Sequence, residues 1–344
     1  MASDLTHDRR HAALALVAAI LPACTAGLLS GATALQAQTP VLTVYTYDSF
    51  VSEWGPGPAV EAGFEAVCGC DLRFVGSTDG AALLSRLRLE GDRTGADVVL
   101  GLDQNLIAVA RATGLFAPHG LSSAFDLPVA WSDPDFLPFD WGWFAFVGHA
   151  GDPAPANFAE LAASDRRIVI QDPRSSTPGL GLLLWVRRAY GDGAAQIWND
   201  LADNIVTVTP GWSEAYGLFL QDEADLVLSY TTSPAYHLIA EGDASKVALP
   251  FDEGHYLQIE VAAKIAGTDE PALADAFLSF MLSEEVQLII PTTNWMYPAV
   301  TPASGLPAGF ETLISPVGTL LFSPEEAEAV RDAAVAEWLA VLSR

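Results

Sequence analysis

Positive charge is what this sequence has least of. Its 16 Lys and Arg stand against 43 Asp and Glu, a formal net charge of −27 at pH 7, with a pI near 4.2. Such a chain has no basic surface with which to neutralise phosphates, which excludes nucleic acid as a partner. The acidity keeps a protein soluble and favours approach of cationic ligands without naming one, and an acidic surface suited to a salty medium accounts for it equally well. Charge of either sign is thin, at 17% of residues against 51% apolar ones. With 344 residues, this is a compact globular chain long enough for two domains of ordinary size, each with its own core. Cysteine is rare as well: Cys24, Cys68 and Cys70 are the whole complement. No apolar run after residue 37 is long enough to span a bilayer, so the mature chain is expected to be soluble.

The first 37 residues read as an export signal. Arg9 and Arg10 precede an apolar run from Ala12 through Leu21, and small residues follow, with cleavage points at Ala32-Thr33-Ala34 or Gln36-Ala37. A retained membrane anchor is the alternative, but Pro22 and the Gly, Ser and Thr after it interrupt the roughly 20 apolar residues that a spanning helix needs. Leu21-Pro22-Ala23-Cys24 also has the form of a lipoprotein box, which would leave a lipidated Cys24. Removing residues 1–37 takes away Asp4, Asp8, Arg9 and Arg10, two charges of each sign, so the net −27 is unchanged. In an oxidising compartment Cys68 and Cys70 can close a small disulfide, Gly69 relaxing the turn, with a free dithiol as the alternative. A metal site would want further soft ligands, and this stretch shows none.

Along the mature chain, strands and helices alternate. Leu42–Tyr47, Asp71–Val75 and Asp97–Leu100 read as strands, with helices expected over Pro58–Ala66 and Gly80–Glu90. Phe139–Val147 is a long aromatic strand, Ile168–Gln171 a short buried one, and Gly179–Tyr190 an apolar helix. Asp225–Tyr230 echoes Asp97–Leu100, Tyr256–Ala262 is another strand, and helices are expected over Glu270–Leu282 and Pro324–Leu342. This order implies βαβ units, a mostly parallel sheet and an α/β class. Two α/β lobes with a two-strand hinge at 139–147 and 256–262 follow: lobe 1 from 38–139 and 262–344, lobe 2 from 140–261. Ligands in such sheets sit beyond the carboxyl ends of the strands, here in the cleft between lobes.

Aromatic, hydroxyl and Gly/Pro residues collect in the turns after these strands. Tyr47-Asp48-Ser49 leads to Trp54-Gly55-Pro56, and Asp79-Gly80 and Ser175-Ser176-Thr177-Pro178-Gly179 open helices. Gly211-Trp212-Ser213, Tyr230 through Tyr236 and Asn294-Trp295-Met296-Tyr297-Pro298 complete the set. Each alone has an ordinary explanation: a Trp is usually core, Asp79 can be a helix cap, and Ser-Thr-Pro-Gly is a common helix opening. Together they suggest stacking platforms for a flat ligand, with helix N-termini able to hold an anion.

The runs Leu42–Phe50, Trp54–Pro58, Ala96–Asp103, Gln171–Trp185, Val206–Leu220, Asp225–His237 and Asn294–Pro298 resemble those of the periplasmic thiamine-binding proteins of bacterial thiamine ABC transporters. The resemblance extends from about Val41 to Arg344 and takes in the Cys68-Gly69-Cys70 pair. It implies a type II periplasmic-binding-protein fold and thiamine, its monophosphate or its pyrophosphate in the cleft. Carried over by motif, the pocket falls on Tyr47, Trp54, Asp79, Gly80, Ser176, Thr177, Trp212, Tyr230, Thr231, Thr232, Ser233, Tyr236 and Trp295. Ser175 stands where the family pattern has Thr and keeps the hydroxyl. The implied partners are an ABC permease and its ATPase subunit, with no cofactor, a monomeric state and a periplasmic location.

Thiamine joins a flat aminopyrimidine to a thiazolium of fixed positive charge. A cation over a Trp or Tyr face gains about 0.5–2 kcal/mol, and a carboxylate about 4 Å away at an effective dielectric of about 20 adds roughly 4 kcal/mol before desolvation. Asp79 is the expected carboxylate, and Arg174 is the one cationic side chain near the hydroxyls of Ser176 and Thr177. Two other readings stand beside this one. A thiamine-degrading enzyme on this fold would need a nucleophilic cysteine, and Cys68 and Cys70 lie away from the pocket turns. Ferric iron could be ligated by Tyr230 and Tyr236, or a polyamine held by acidic groups, but Trp54, Trp212 and Trp295 favour a flat organic ligand.

Overall fold

The computed structural model describes residues 39–342; the expected signal at 1–37, including Cys24, lies outside them. Eight strands form the main path of one continuous sheet: β1 (Val41–Tyr47), β2 (Asp71–Ser77), β3 (Val98–Asp103), β4 (Leu137–His149), β5 (Ile168–Gln171), β6 (Ile205–Thr209), β7 (Leu226–Tyr230) and β8 (His255–Ile265). Their order is β2-β1-β3-β8-β4-β7-β5-β6. β2, β1 and β3 are parallel to one another, as are β7, β5 and β6. The two long strands β8 and β4 run antiparallel to each other and to the inner strand of each triplet. Each half therefore has the same order, with its last strand innermost, and the sequence echo between Asp97–Leu100 and Asp225–Tyr230 marks those inner strands.

The long strands are the expected hinge segments, and their length explains the architecture. β4 pairs with β8 through residues 137–143 and with β7 through 144–147, so one strand belongs to both halves. Parallel strands want cover on both faces, and β3 and β5 have it, being buried throughout. In β1, Leu42 and Val44 join one apolar cluster with Phe64, Phe277 and Ile290, whereas Tyr45 joins the other with Leu83 and Leu87.

Helices follow from local chemistry. α1 (Gly57–Cys68) ends on Gly69 in the left-handed conformation at φ 64°, the usual helix stop, and Cys68 and Cys70 on either side of it are joined by a disulfide. α2 (Gly80–Glu90) is capped by Asp79, and α3 (Thr177–Tyr190) by Ser176. Thr177 through Val186 are all buried, which makes α3 a central helix packed all round. Among the described residues, three helices of eight or more residues went unread in the sequence: α4 (Ala194–Leu201), α5 (Trp212–Leu220) and α7 (Glu284–Thr293). α6 (Pro271–Met281) and α8 (Pro324–Leu342) are close to their expected bounds.

α8 packs on α3 and α4 and on the short helix at Ile107–Arg111, and so lies against elements of both halves. Ala327, Ala334, Trp338 and Val341 are its buried face, and Arg187 of α3 bonds to Glu337. An amphipathic pattern says that a face is buried, not which partner covers it. Among the described residues no helix is long and apolar enough to cross a membrane.

α3 meets β4 at Gly181, where an added Cβ would lie 2.0 Å from the ring of buried Phe144, and Phe144 in turn stacks on Tyr230 at 5.1 Å. Gly181→Ala is expected to destabilise the protein by about 1–3 kcal/mol through overpacking. Urea denaturation of the two proteins checks this.

Candidate functional site

The two halves touch through the residues that open their helices. Asp79, buried at the N-cap of α2, accepts from the Gly80 N–H at 2.7 Å through one oxygen and from the Ser176 hydroxyl at 2.7 Å through the other. Beside it the Ala82 N–H donates to the Ser175 carbonyl at 3.0 Å. Two helix N-termini thus face each other, α2 from the first half and α3 from the second. A Cβ on Gly80 would stand 2.4 Å from the Thr177 hydroxyl, so this approach needs glycine. Burial raises the Asp79 pKa, opposed by the hydrogen bonds from Ser176, Gly80 and Thr177. The cap reading of Asp79 is correct, and the residue also bridges the halves. Arg174 is exposed and held by Asp172, its Nε 2.9 Å from Oδ1, so its charge is already paired.

A second group is aromatic. Trp54 keeps 54% of its surface exposed and lies 6.2 Å from the ring of Trp212. Trp212, expected in a turn, instead opens α5; its ring stacks on Tyr216 at 4.9 Å, and its Nε1 donates to Ser229 Oγ at 2.8 Å. Ser229 is hydrogen-bonded to Ser233 at 2.7 Å, and Ser233 Oγ accepts from the Tyr230 N–H. Thr231 and Thr232 are buried, Thr231 bonding through its N–H to the Trp143 carbonyl. Tyr236 meets Trp295 edge-on at 5.4 Å and joins the Trp212 group through His237, 4.8 Å from its ring and 3.0 Å from the Tyr216 hydroxyl; the Met296 sulfur is 3.9 Å from the Thr232 hydroxyl. Trp295 has φ 55°, a left-handed conformation uncommon for an aromatic residue.

Behind these rings is a floor that sequence reasoning missed. Glu260 of β8 lies directly opposite Asp140 of β4 on one side and Asp103 of β3 on the other. The ladder with β4 shifts register between Glu260 and Val261 and the ladder with β3 between Val261 and Ala262, a device that re-aims side chains beside functional sites. The Tyr47 hydroxyl donates to Glu260 Oε2 at 2.8 Å, and Asn294 donates to the Tyr47 oxygen at 3.0 Å and to Asp140 Oδ2 at 2.6 Å. Gln258 donates to Glu260 Oε1 at 2.7 Å, and Asn105 to Asp103 Oδ2 at 2.7 Å. None of the recorded hydrogen bonds and ion pairs of Asp79, Asp103, Asp140 or Glu260, among the described residues, brings them an arginine, lysine or histidine.

The electrostatics follow from that. Burial raises Asp103 to about 7 and Asp140 to about 8, each opposed by its Asn partner. Glu260 stands well above its ordinary value, through burial first and then the charge of Asp140. Tyr230 is pushed up by burial and by the same carboxylates, Asp79 included. The available signal was a lone carboxylate inside each long apolar strand, Phe139-Asp140-Trp141 and Ile259-Glu260-Val261.

A continuous sheet shared by two α/β halves, with capped helices and aromatic rings meeting over an acidic floor, defines a solute-binding protein of the hinged kind. A model for bacterial extracellular solute-binding proteins matches residues 62–292, and the chain belongs to that family, whose members are transport proteins and not enzymes. It is 55% identical over 311 residues to the thiamine-binding periplasmic protein of Salmonella typhimurium, covering 89% of this chain and 94% of the relative. A solved structure of a periplasmic thiamin binding protein superposes with a TM-score of 0.87 at 54% identity, over 90% of this chain and 98% of the other. The ferric binding protein from Campylobacter jejuni superposes at 0.71 with 17% identity, over 87% and 99%; that likeness concerns the fold.

The sign of the pH effect on stability is set by the acidic floor. Carboxyls that bind protons more tightly when folded contribute stability that is complete below their unfolded pKa, about 4, and is lost as pH rises through the folded values of about 7 and 8. His255, pushed down to about 4 by burial, acts oppositely below about pH 6.5. Between about pH 8 and 6.5 the unliganded protein is therefore expected to gain about 1 kcal/mol per unit for each carboxyl that keeps its proton. Thermal melts across that range, with Asp103→Asn and Asp140→Asn flattening the curve, check this.

Proposed function

We propose that this chain is the periplasmic thiamine-binding component of an ABC importer, taking thiamine or its phosphates from outside the cytoplasm to a membrane permease and its ATPase. The observation that carries the reading is the pairing of aromatic faces with buried carboxylates that have no cation of their own. Thiamine supplies what each lacks, flat rings for Tyr47, Trp54, Trp212, Tyr236 and Trp295 and a fixed positive charge for the acidic floor. The facing N-termini at Gly80 and Thr177, with the hydroxyls of Ser176 and Thr231 to Ser233, suit a hydroxyethyl or phosphate tail. The names of the relatives point the same way. Among the described residues both cysteines are spent in the disulfide, which leaves the enzymatic alternative without its nucleophile there.

On this reading β4 and β8 are the hinge, and closure brings the Asp79 and Ser176 ends of the lobes together. Lobe 1 comprises 38–139 and 262–344, and lobe 2 comprises 140–261. Residues 1–37 direct export and are removed, and the mature protein acts as a monomer.

Calorimetric titration of the ligand-stripped protein with thiamine, its monophosphate and its diphosphate tests the reading, which expects one-to-one binding. No heat from any of the three in a folded protein would refute it. Trp212→Ala is expected to weaken thiamine binding at least about tenfold, about 1.4 kcal/mol, with the melting transition retained.

A further inference from the structure

Like charges placed directly opposite across a sheet are destabilising, and burial makes an unpaired charge more costly still. The floor breaks both rules. Asp140 and Glu260 are opposed in register, Asp103 extends the row, and all three are buried. Asp140 Oδ1 and Gln258 Oε1 accept no hydrogen bond although both residues are fully buried. The groups facing the row from other elements are the Tyr47 hydroxyl from β1, Tyr230 from β7, Asp79 from the cap of α2 and the Asn294 amide after α7. All are neutral or acidic.

We infer that Asp140 and Glu260 are specificity-determining residues that select a ligand carrying a fixed positive charge, and that such a ligand displaces a proton from this row to solvent on binding. The inference rests on the thiamine reading and adds the basis of its discrimination. A thiazolium nitrogen has no proton to donate, so no hydrogen-bonding side chain can recognise it as a cation; only nearby negative charge or an aromatic face can. In the empty protein two opposed carboxyls without a cation hold a proton. A cation beside them favours the charged form, and the proton leaves. Bonds balance: one carboxyl O–H is broken, the pair gains one negative charge, and the ligand brings one positive charge.

The test compares thiamine with the isostere whose thiazolium is replaced by a neutral thiophene. Each is titrated into wild-type protein, Asp140→Asn and Glu260→Gln at about pH 7, in buffers of different ionisation enthalpy, so that the heats count protons. Wild-type protein is expected to bind thiamine at least about tenfold more tightly than the isostere and to release about one proton with thiamine and none with the isostere. In each variant the preference should fall below about threefold and the proton release should vanish. Equal affinity of the two ligands for wild-type protein overturns the inference while leaving the thiamine reading intact, and needs no variant to fold. Undiminished preference in both variants overturns it as well. Binding of neither ligand overturns the thiamine reading and this inference with it.

Discussion

Everything in this molecule is arranged around the pairing of two long strands. β8 hydrogen-bonds to β3 on one side and β4 on the other, and β4 continues past that pairing to join β7. Without those antiparallel ladders there would be two separate three-stranded parallel sheets, each too small to close a cleft. With them, a carboxylate from each half's neighbouring strand comes to rest beside Glu260. The architecture and the electrostatic character of the site therefore have one cause, the register of β8.

That register places an unusual demand on the rest of the protein. A buried acidic row is tolerable only if its hydrogen bonds are supplied locally and its protons are retained. Asn294, Gln258, Asn105 and Tyr47 supply the bonds. The raised pKa values express the retained protons. Stability given up here is compensated elsewhere, in the aromatic packing of Trp185 against Phe158 and Phe251 and in the apolar surface of α3.

Much of the scaffold could be read along the chain because its elements are punctuated locally. Asp79 and Ser176 cap the helices they precede, Gly69 and Gly91 end α1 and α2, and strand and helix periods alternate cleanly between them. The elements that escaped lack such marks. α5 begins at Trp212 with no capping side chain, so Gly-Trp-Ser reads as a turn. β6 is largely exposed, with only Thr209 at its end buried, and has no buried run to betray it. The aromatic part of the site was visible because Trp and Tyr stood in Gly- and Pro-rich turns. The acidic floor was not, since Asp140 and Glu260 are 120 residues apart in the chain, and only pairing with adjacent bulges makes them neighbours.

The placement of α8 adds a third connection between the halves. β4 and β8 join them through the sheet, and the segment after Pro298 runs on to Thr319 and Leu320, which pair with His255 and Tyr256. α8 then lies on α3 and α4 and on the short helix at Ile107–Arg111. It belongs to neither half alone; like a clasp it rests across both, so its buried face at Ala327, Ala334, Trp338 and Val341 matters to the two together.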